Sequence, residues 1–167
     1  MFESSALTAA DKPGQYAELA AQLRGLLHDE TDLVANAANF AALVYHALPE
    51  INWCGLYFAR NAGDGDELVL GPFQGRPACV RIALGRGVCG TAAATRTTQL
   101  VPDVHAYPGH IACDSASRSE IVVPLVRADG TLLGVWDVDS PRATRFDEDD
   151  RAGMQALFAI YLQTCAV

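Results

Sequence analysis

The sequence has no run of about 18 consecutive apolar residues, the minimum that a membrane-spanning helix needs. It also has little positive charge: 12 Lys and Arg residues stand against 20 Asp and Glu residues, for a net charge of −8 and a pI near 4.8. Binding to nucleic-acid phosphates or to an anionic membrane surface depends on clustered basic residues. We therefore expect neither a nucleic-acid partner nor a membrane partner.

The cysteines lack the pattern of a disulfide framework. There are five, an odd number, and the sequence has no C-x₂-C pair. The residues from Met1 to Ser5 contain no basic stretch leading into an apolar run, so we expect no secretory signal and a cytoplasmic location. In the reducing cytosol, cysteines are more often catalytic, metal-binding or inert than paired in structural disulfides.

Hydrophobic periodicity divides the chain into helices at both ends and strands between them. Helical spacing covers 15–27, 32–48, a short stretch at 88–96, and 147–165. Short alternating runs predict six strands, at 52–59, 67–73, 78–84, 98–101, 119–127 and 132–138. The length suits one domain, and no linker or internal repeat is visible. Residues 1–167 therefore predict a single α+β domain, with a mostly antiparallel sheet of about six strands packed between N- and C-terminal helices.

A long loop at 102–118 separates the fourth and fifth predicted strands. It contains two prolines, a glycine and a Ser-rich stretch. Loops of this length inside a compact domain are usually functional or disordered. Cys113 lies in this loop, close in sequence to His110 and Asp114, where a small substrate would reach its thiol.

Two more cysteines precede this loop. Cys89 follows Gly85-Arg86-Gly87 and opens a helix, where unpaired amides favour thiolate, so we expect a lowered thiol pKa. Cys79, Cys89 and Cys113 therefore lie around one loop. This arrangement fits a nucleophilic cysteine that is oxidised to a sulfenic acid and then forms a disulfide with a second cysteine. Inert thiols fit the spacing equally well. Cys54 and Cys165 are expected to be buried and inert.

Two other kinds of site are compatible with the same segment. Zinc ligands would come from Cys79, Cys89, Cys113, His105 and His110. Gly85-Arg86-Gly87-Val88-Cys89-Gly90 also matches the dinucleotide fingerprint, but a long loop follows it where that motif needs a parallel βαβ unit. We expect these glycines instead to present backbone amides to an oxyanion.

Acidic side chains are predicted to converge at one end of the sheet. Glu120 opens one strand, and Asp137 and Asp139 share a face of the next, joined to it by a tight hairpin at Asp129-Gly130. Clustered acids would bind a substrate ammonium group, or share a proton through a raised pKa. A solvated sheet edge is the alternative.

Two aromatic residues share a face of the first strand. Trp53 and Tyr57 are four residues apart, which places both rings on the same side of the sheet. Packing in the core is one role for them. The other is a wall around a small apolar or methylated group of a ligand.

At these residues the sequence resembles the free methionine-(R)-sulfoxide reductases, which are built on a GAF domain. The resemblance covers nearly the whole chain, from the strand at 52–57 to 146–149. The motifs that carry it are Gly85-Arg86-Gly87-Val88-Cys89-Gly90, Asp103-Val104-His105, Gly109-His110-Ile111-Ala112-Cys113-Asp114, Ser119-Glu120-Ile121-Val122 and Asp137-Val138-Asp139-Ser140. A GAF ligand sensor would lack the three cysteines at these places.

The resemblance implies an enzyme that reduces free L-methionine (R)-sulfoxide to methionine, a repair of free methionine under oxidative stress. Cys113 matches the family's sulfoxide-attacking cysteine, Cys79 its main resolving cysteine and Cys89 a second one. The resulting disulfide would be reduced by thioredoxin or another external dithiol. The resemblance implies no bound cofactor and no metal, and it suggests a homodimer.

The remaining matches concern substrate binding. Trp53 and Tyr57 match the aromatic wall around the substrate's methyl group, and Glu120, Asp137 and Asp139 match its substrate-binding acids. A carboxylic acid kept neutral by a neighbouring carboxylate can also protonate a sulfoxide oxygen, so Glu120 and Asp139 are candidate catalytic acids. The competing hypothesis is a non-catalytic GAF module that senses a small molecule or redox state.

Overall fold

The predicted helices and strands are present, with shifts of a few residues at their ends. The computed structural model describes residues 2–61, 66–111 and 114–165, so Cys113 lies outside the described residues. The elements in chain order are α1 (Lys12–Leu26), α2 (Leu33–Ala47), β1 (Trp53–Asn61), β2 (Asp66–Gly75), β3 (Arg81–Ala83), α3 (Gly87–Thr95), β4 (Gln99–Val101), a 3₁₀ helix (Val104–Ala106), β5 (Ser119–Val126), β6 (Leu132–Ser140) and α4 (Glu148–Thr164). Within these ranges, no helix has the length and apolar character that crossing a membrane requires.

The six strands form one antiparallel sheet in the order β3-β2-β1-β6-β5-β4. The tight turn between β5 and β6 forms as predicted: the amide of Arg127 donates to the carbonyl of Thr131, and Gly130 has a φ of 87°. Glycine adopts this left-handed conformation without the steric penalty of a Cβ atom. The α+β architecture with helices at both ends of the chain is therefore confirmed.

Helices α1, α2 and α4 cover one face of the sheet and form the larger hydrophobic core. Trp136 of β6 is fully buried there, and its ring lies 4.5 Å from Phe40 of α2 and 5.7 Å from Phe158 of α4. Cys54 of β1 is fully buried in this core and accepts a hydrogen bond from Trp136 Nε1 at 3.2 Å. Burial raises the pKa of the Cys54 thiol to about 12, as expected for an inert cysteine.

The opposite face of the sheet carries a thinner layer. Its main element is the short helix α3, whose Val88, Cys89 and Ala92 pack over Val122 of β5 and Val135 of β6. The loop that follows β4 completes this layer. Because only one short helix and a loop cover this face, polar groups can approach the sheet from this side.

A buried ionic cluster joins α1 to α4. Asp150 is fully buried and accepts hydrogen bonds from Tyr16 Oη at 2.8 Å, Lys12 Nζ at 2.5 Å and Arg145 Nη1 at 3.2 Å. These hydrogen bonds and ion pairs compensate the Asp150 carboxylate for the hydration that it loses on burial. Next to it, Gly153 of α4 lets the ring of Tyr16 lie directly on the helix backbone, since a Cβ atom there would overlap the ring.

We predict that Gly153→Ala lowers the free energy of unfolding by about 1–3 kcal/mol, the usual cost of overpacking a close helix contact. Gly25→Ala is the matched control, because it also lies in a helix but a Cβ atom there meets only Phe2, at 3.8 Å. This control should be neutral or stabilising by up to about 1 kcal/mol, through helix propensity. Urea unfolding of both variants measures the difference, and equal stabilities would contradict the packing role of Gly153.

Candidate active site

A narrow pocket lies on the thinly covered face of the sheet, between α3 and strands β1, β5 and β6. The volume of its cavity is only about 30 Å³. The residues that line it are Trp53, Tyr57, Ala78, Ile82, Arg86, Gly87, Val88, Cys89, His110, Ile111, Asp114, Ser117, Glu120, Asp137 and Asp139. Every substrate-binding residue that the sequence predicted is in this set.

Strand register brings the three acids together. Glu120 of β5 pairs directly with Asp139 of β6, and Asp139 pairs on its other side with Trp53 of β1. Asp137, two residues before Asp139, points to the same face because side chains alternate along a strand. Glu120 and Asp139 therefore converge, as the hairpin pattern predicted.

The acids are not a solvated edge, which was the alternative. Glu120 is 5% exposed and Asp137 is 8% exposed. Burial raises the pKa of Glu120 well above its ordinary value, and repulsion from Asp139 raises it further. Burial and repulsion from Glu120 raise the pKa of Asp137 in the same way, and burial and repulsion from Asp137 do so for Asp139. The three groups therefore favour sharing protons over carrying three full charges.

One oxygen of Asp137 lacks a donor. Among the described residues, Asp137 Oδ1 is buried and has no hydrogen-bond partner. Most buried polar atoms in proteins are hydrogen-bonded, so an exception calls for an explanation. An N–H donor of a bound ligand would satisfy this atom.

The aromatic wall is formed by stacked rings. Trp53 stacks on Tyr57 at 5.9 Å and on Phe73 of β2 at 5.5 Å, and its Nε1 donates to the carbonyl of Arg76 at 3.1 Å. Gly55 is required for this arrangement, because a Cβ atom there would lie 2.5 Å from the indole of Trp53. The ring is thus fixed on both sides before any ligand binds.

Cys89 faces the acids, and the expected lowering of its pKa is wrong. Its Sγ lies 4.0 Å from Glu120 Oε1, and the residue is 5% exposed. Burial raises the pKa of the Cys89 thiol well above its ordinary value, and the neighbouring Asp137 and Glu120 raise it further. Loss of hydration and negative neighbours outweigh the helix N-terminus, so Cys89 remains a neutral thiol.

Cys79 differs from Cys89 in its surroundings. It is partly exposed and lies at the margin of the smaller core, next to the pocket-lining Ala78. It is not itself among the residues that line the pocket. The structure therefore places Cys79 near the pocket and Cys89 inside it.

Two of the three glycine amides around the start of α3 are used within the turn. The amide of Gly85 donates to the carbonyl of Gly90 at 2.7 Å, Arg86 donates to Ala83 at 3.1 Å and Gly90 donates to Arg86 at 3.0 Å. The amides of Gly85 and Gly90 are therefore unavailable to an oxyanion, and for Gly87 the expectation stays a prediction. The dinucleotide hypothesis is also wrong, because the sheet is antiparallel and lacks the parallel βαβ unit that the motif needs.

The expected zinc ligands are not brought together as a set. His105 is exposed, and Cys113 lies outside the described residues. The described residues instead place one ligand atom each of Cys89, Glu120 and Asp137 within 4.8 Å of one another. The sequence could not suggest this group, since its three members come from α3, β5 and β6.

Two polar contacts at the pocket were not predicted. His110 Nε2 lies 3.5 Å from Glu120 Oε2, and burial lowers the pKa of His110, so its imidazole is neutral at neutral pH. Asn52, just before β1, donates to Asp114 Oδ2 at 3.2 Å and to Ser117 Oγ at 3.1 Å. Asn52 thereby ties the loop immediately after Cys113 to the start of the strand that carries Trp53. The only sequence signal for this contact is a polar residue adjacent to the aromatic motif.

Comparison with known proteins identifies the family. The GAF domain family matches residues 22–160. The free methionine-R-sulfoxide reductase of Escherichia coli is 49% identical over 144 residues, covering 86% of this chain and 84% of that protein. The crystal structure of a Burkholderia vietnamiensis protein described as a GAF sensor is 67% identical, covers 93% of this chain and 96% of its own, and has a TM-score of 0.87.

A third relative combines fold, sequence and ligand. The free methionine-R-sulfoxide reductase of Neisseria meningitidis, solved in complex with its substrate, is 46% identical with a TM-score of 0.90, covering 98% of this chain and 95% of its own. These matches define a GAF domain protein. Within that class, the chain belongs to the family of the free methionine-R-sulfoxide reductases.

The raised pKa values predict how the acids affect stability. A carboxyl group whose pKa is raised by folding binds its proton more tightly in the folded state, so it costs stability as the pH rises above its ordinary pKa. Between about pH 5 and about pH 8, we expect the free energy of unfolding of Glu120→Gln to improve relative to wild type by at least about 1 kcal/mol.

Chemical denaturation at several pH values measures this difference. Asp129→Asn is the control, because the amide of Thr131 lowers the pKa of this exposed carboxyl and its contribution has the opposite sign. Parallel pH profiles for wild type and Glu120→Gln would contradict the buried, shared-proton description of the acids.

Proposed function

We propose that the pocket reduces free methionine (R)-sulfoxide to methionine. Family membership supports this activity, as does the substrate complex of the Neisseria meningitidis relative. The observation that carries the proposal is the placement of three carboxyl groups, two of them buried, beside the stacked rings of Trp53 and Tyr57. That placement combines a site for an ammonium group, a proton donor and an apolar wall in one narrow space.

Substrate recognition follows from these three parts. The ammonium group of a free amino acid would donate to the unpartnered Asp137 Oδ1 and offset the negative charge of the cluster. The methyl group on sulfur would lie against Trp53 and Tyr57. A methionine sulfoxide inside a peptide has no ammonium group to offer these acids, so the free amino acid is preferred.

The acids also make the sulfoxide reactive. Sulfur in a sulfoxide becomes electrophilic when its oxygen is protonated or strongly hydrogen-bonded. Glu120 and Asp139 face each other across β5 and β6, and their raised pKa values keep a proton available at neutral pH. Either group can therefore act as the general acid.

Cys113 is the proposed nucleophile. Its sulfur attacks the sulfoxide sulfur, the S–O bond breaks, and the oxygen passes to Cys113 as a sulfenic acid while methionine leaves. The Cys113 sulfur is oxidised by two electrons and the substrate sulfur is reduced by two. A second thiol then displaces water from the sulfenic acid to form a disulfide, and thioredoxin or another external dithiol reduces that disulfide.

We favour Cys79 over Cys89 as the main resolving cysteine. Cys89 is buried and its raised pKa keeps it in the unreactive thiol form, whereas Cys79 is partly exposed. Disulfide mapping after one turnover without reductant tests this assignment, and a predominant Cys89–Cys113 disulfide would contradict it.

The activity is tested with dithiothreitol and three substrates: free methionine (R)-sulfoxide, the (S) form, and N-acetylated methionine (R)-sulfoxide amide, which lacks the ammonium group. We expect reduction to the corresponding thioether for the first substrate alone. Cys113→Ser should abolish turnover while keeping substrate affinity within about tenfold, because a hydroxyl is a poor nucleophile at neutral pH. Cys165→Ser, on the far side of the sheet, is the control and should remain active. Tight binding without turnover in the wild type would instead support the ligand-sensor hypothesis.

We predict that Glu120→Gln slows the chemical step by about 10²-fold or more, because the amide can donate a hydrogen bond but cannot transfer a proton. Substrate affinity should fall less. Single-turnover rates of Glu120→Gln and Asp139→Asn, measured under saturating substrate, separate chemistry from binding. Normal chemical rates with weaker affinity in both variants would leave the acids only an ammonium-binding role and point to His110 as the proton donor.

A further inference from the structure

The pocket brings sulfur and oxygen donors together in one group. Cys89 Sγ, Glu120 and Asp137 each offer one atom, all within 4.8 Å of one another, and all three residues are buried. His110 Nε2 lies 3.5 Å from Glu120 Oε2, beside this group, and is the candidate for a fourth ligand. A thiol, an imidazole and two carboxyl groups are the ligand types that zinc accepts.

The spacing of these atoms suits a tetrahedral ion. With Zn–S near ~2.3 Å and Zn–O near ~2.0 Å, sulfur and oxygen ligands of one zinc ion lie about 3.5 Å apart. Cys89 Sγ and Glu120 Oε1 are 4.0 Å apart without any ion. A movement of about 0.5 Å, within the rotamer freedom of Glu120, would close the difference.

The charge balance of the site also favours a cation. Asp137 Oδ1 is buried and has no hydrogen-bond donor among the described residues. Within the described part of the chain, the only Lys or Arg side chain that lines the pocket is the exposed Arg86. The cluster therefore lacks positive charge next to the atoms that carry its negative charge.

We propose that the substrate-free, reduced pocket binds Zn²⁺ through Cys89, Glu120 and Asp137, with His110 as the fourth ligand. Binding displaces the thiol proton of Cys89 and any proton shared by the acids, as zinc binding to protonated ligands requires. Because the substrate ammonium group would occupy the same carboxylates, Zn²⁺ and methionine sulfoxide exclude each other. This mutual exclusion rests on the proposed function. The site is thus an inhibitory one, at which a thiophilic cation competes with the substrate.

The thiol makes the proposal specific. An acidic pocket alone would take Mg²⁺ or Ca²⁺, which prefer oxygen ligands and gain nothing from sulfur. A site that includes Cys89 should instead prefer Zn²⁺ and Co²⁺ strongly. Equal affinity for Zn²⁺ and Mg²⁺ would overturn the proposal.

The decisive test titrates Zn²⁺ alone into reduced, metal-free protein in competition with a chromophoric chelator, and repeats the titration with Co²⁺ to observe thiolate-to-metal charge transfer. We expect one site, with affinity at least about tenfold weaker in Cys89→Ser and in Asp137→Asn, and loss of the charge-transfer band in Cys89→Ser. Cys165→Ser should bind like wild type. Unchanged affinity in both pocket variants would overturn the proposal, and Asp137→Asn still decides it if Cys89→Ser does not fold.

A second arm separates this proposal from the proposed function. Free methionine sulfoxide is added to the Cys113→Ser variant, which should bind the sulfoxide without reducing it. We expect the added sulfoxide to raise the apparent Zn²⁺ dissociation constant. No shift would contradict mutual exclusion. An active enzyme that binds no Zn²⁺ overturns the metal site alone, whereas a protein that binds Zn²⁺ through Cys89 but never reduces the sulfoxide overturns the proposed function alone.

Discussion

The crowding of three carboxyl groups on one sheet face, two of them buried and one partly buried, is the constraint on which the rest of this structure depends. Glu120, Asp137 and Asp139 cannot all ionise at this spacing and burial, so their pKa values rise. In a low-dielectric pocket the resulting shared proton is held at the place that the proposed function assigns to the sulfoxide oxygen. The same burial keeps Cys89 a neutral thiol and His110 a neutral imidazole. The negative charge that the acids retain can then accept the ammonium group that the proposed function places there.

This cluster of acids lowers the stability of the folded protein, and the core on the opposite face of the sheet offsets that loss. There the aromatic rings around Trp136 and the helices α1, α2 and α4 form the larger core. The ionic cluster at Asp150 joins α1 to α4, and hydrogen-bond donors surround its carboxylate. The two buried acidic centres therefore contrast: Asp150 is paired with Lys12 and Arg145, whereas Asp137 retains an unpartnered oxygen, which the proposed function assigns to ligand binding. This division is the usual trade between stability and a destabilised active site.

Periodicity and hairpin chemistry predicted most of the fold, because they depend on neighbours in sequence. The alternation along β6 and the turn at Gly130 were enough to place Glu120 opposite Asp139. The predictions that failed concern properties set by residues that are close in space but distant in sequence. The helix N-terminus suggested a lowered pKa for Cys89, but the carboxyl groups that reverse it come from β5 and β6. Likewise, the Gly85 amide bonds to Gly90 across a turn whose closure no glycine pattern reveals. The contact of His110 with Glu120 and the Asn52 anchor were missed for the same reason.

Infrared difference spectroscopy of the carboxyl region most directly tests whether the acids share protons. We expect a protonated-carboxyl band in reduced, substrate-free wild-type protein at neutral pH. This band should weaken in Glu120→Gln and in Asp139→Asn. It should also shift when free methionine sulfoxide binds to the Cys113→Ser variant. A wild-type spectrum with every carboxyl group ionised at neutral pH would contradict it, because no proton would then be available at the acids for the sulfoxide oxygen.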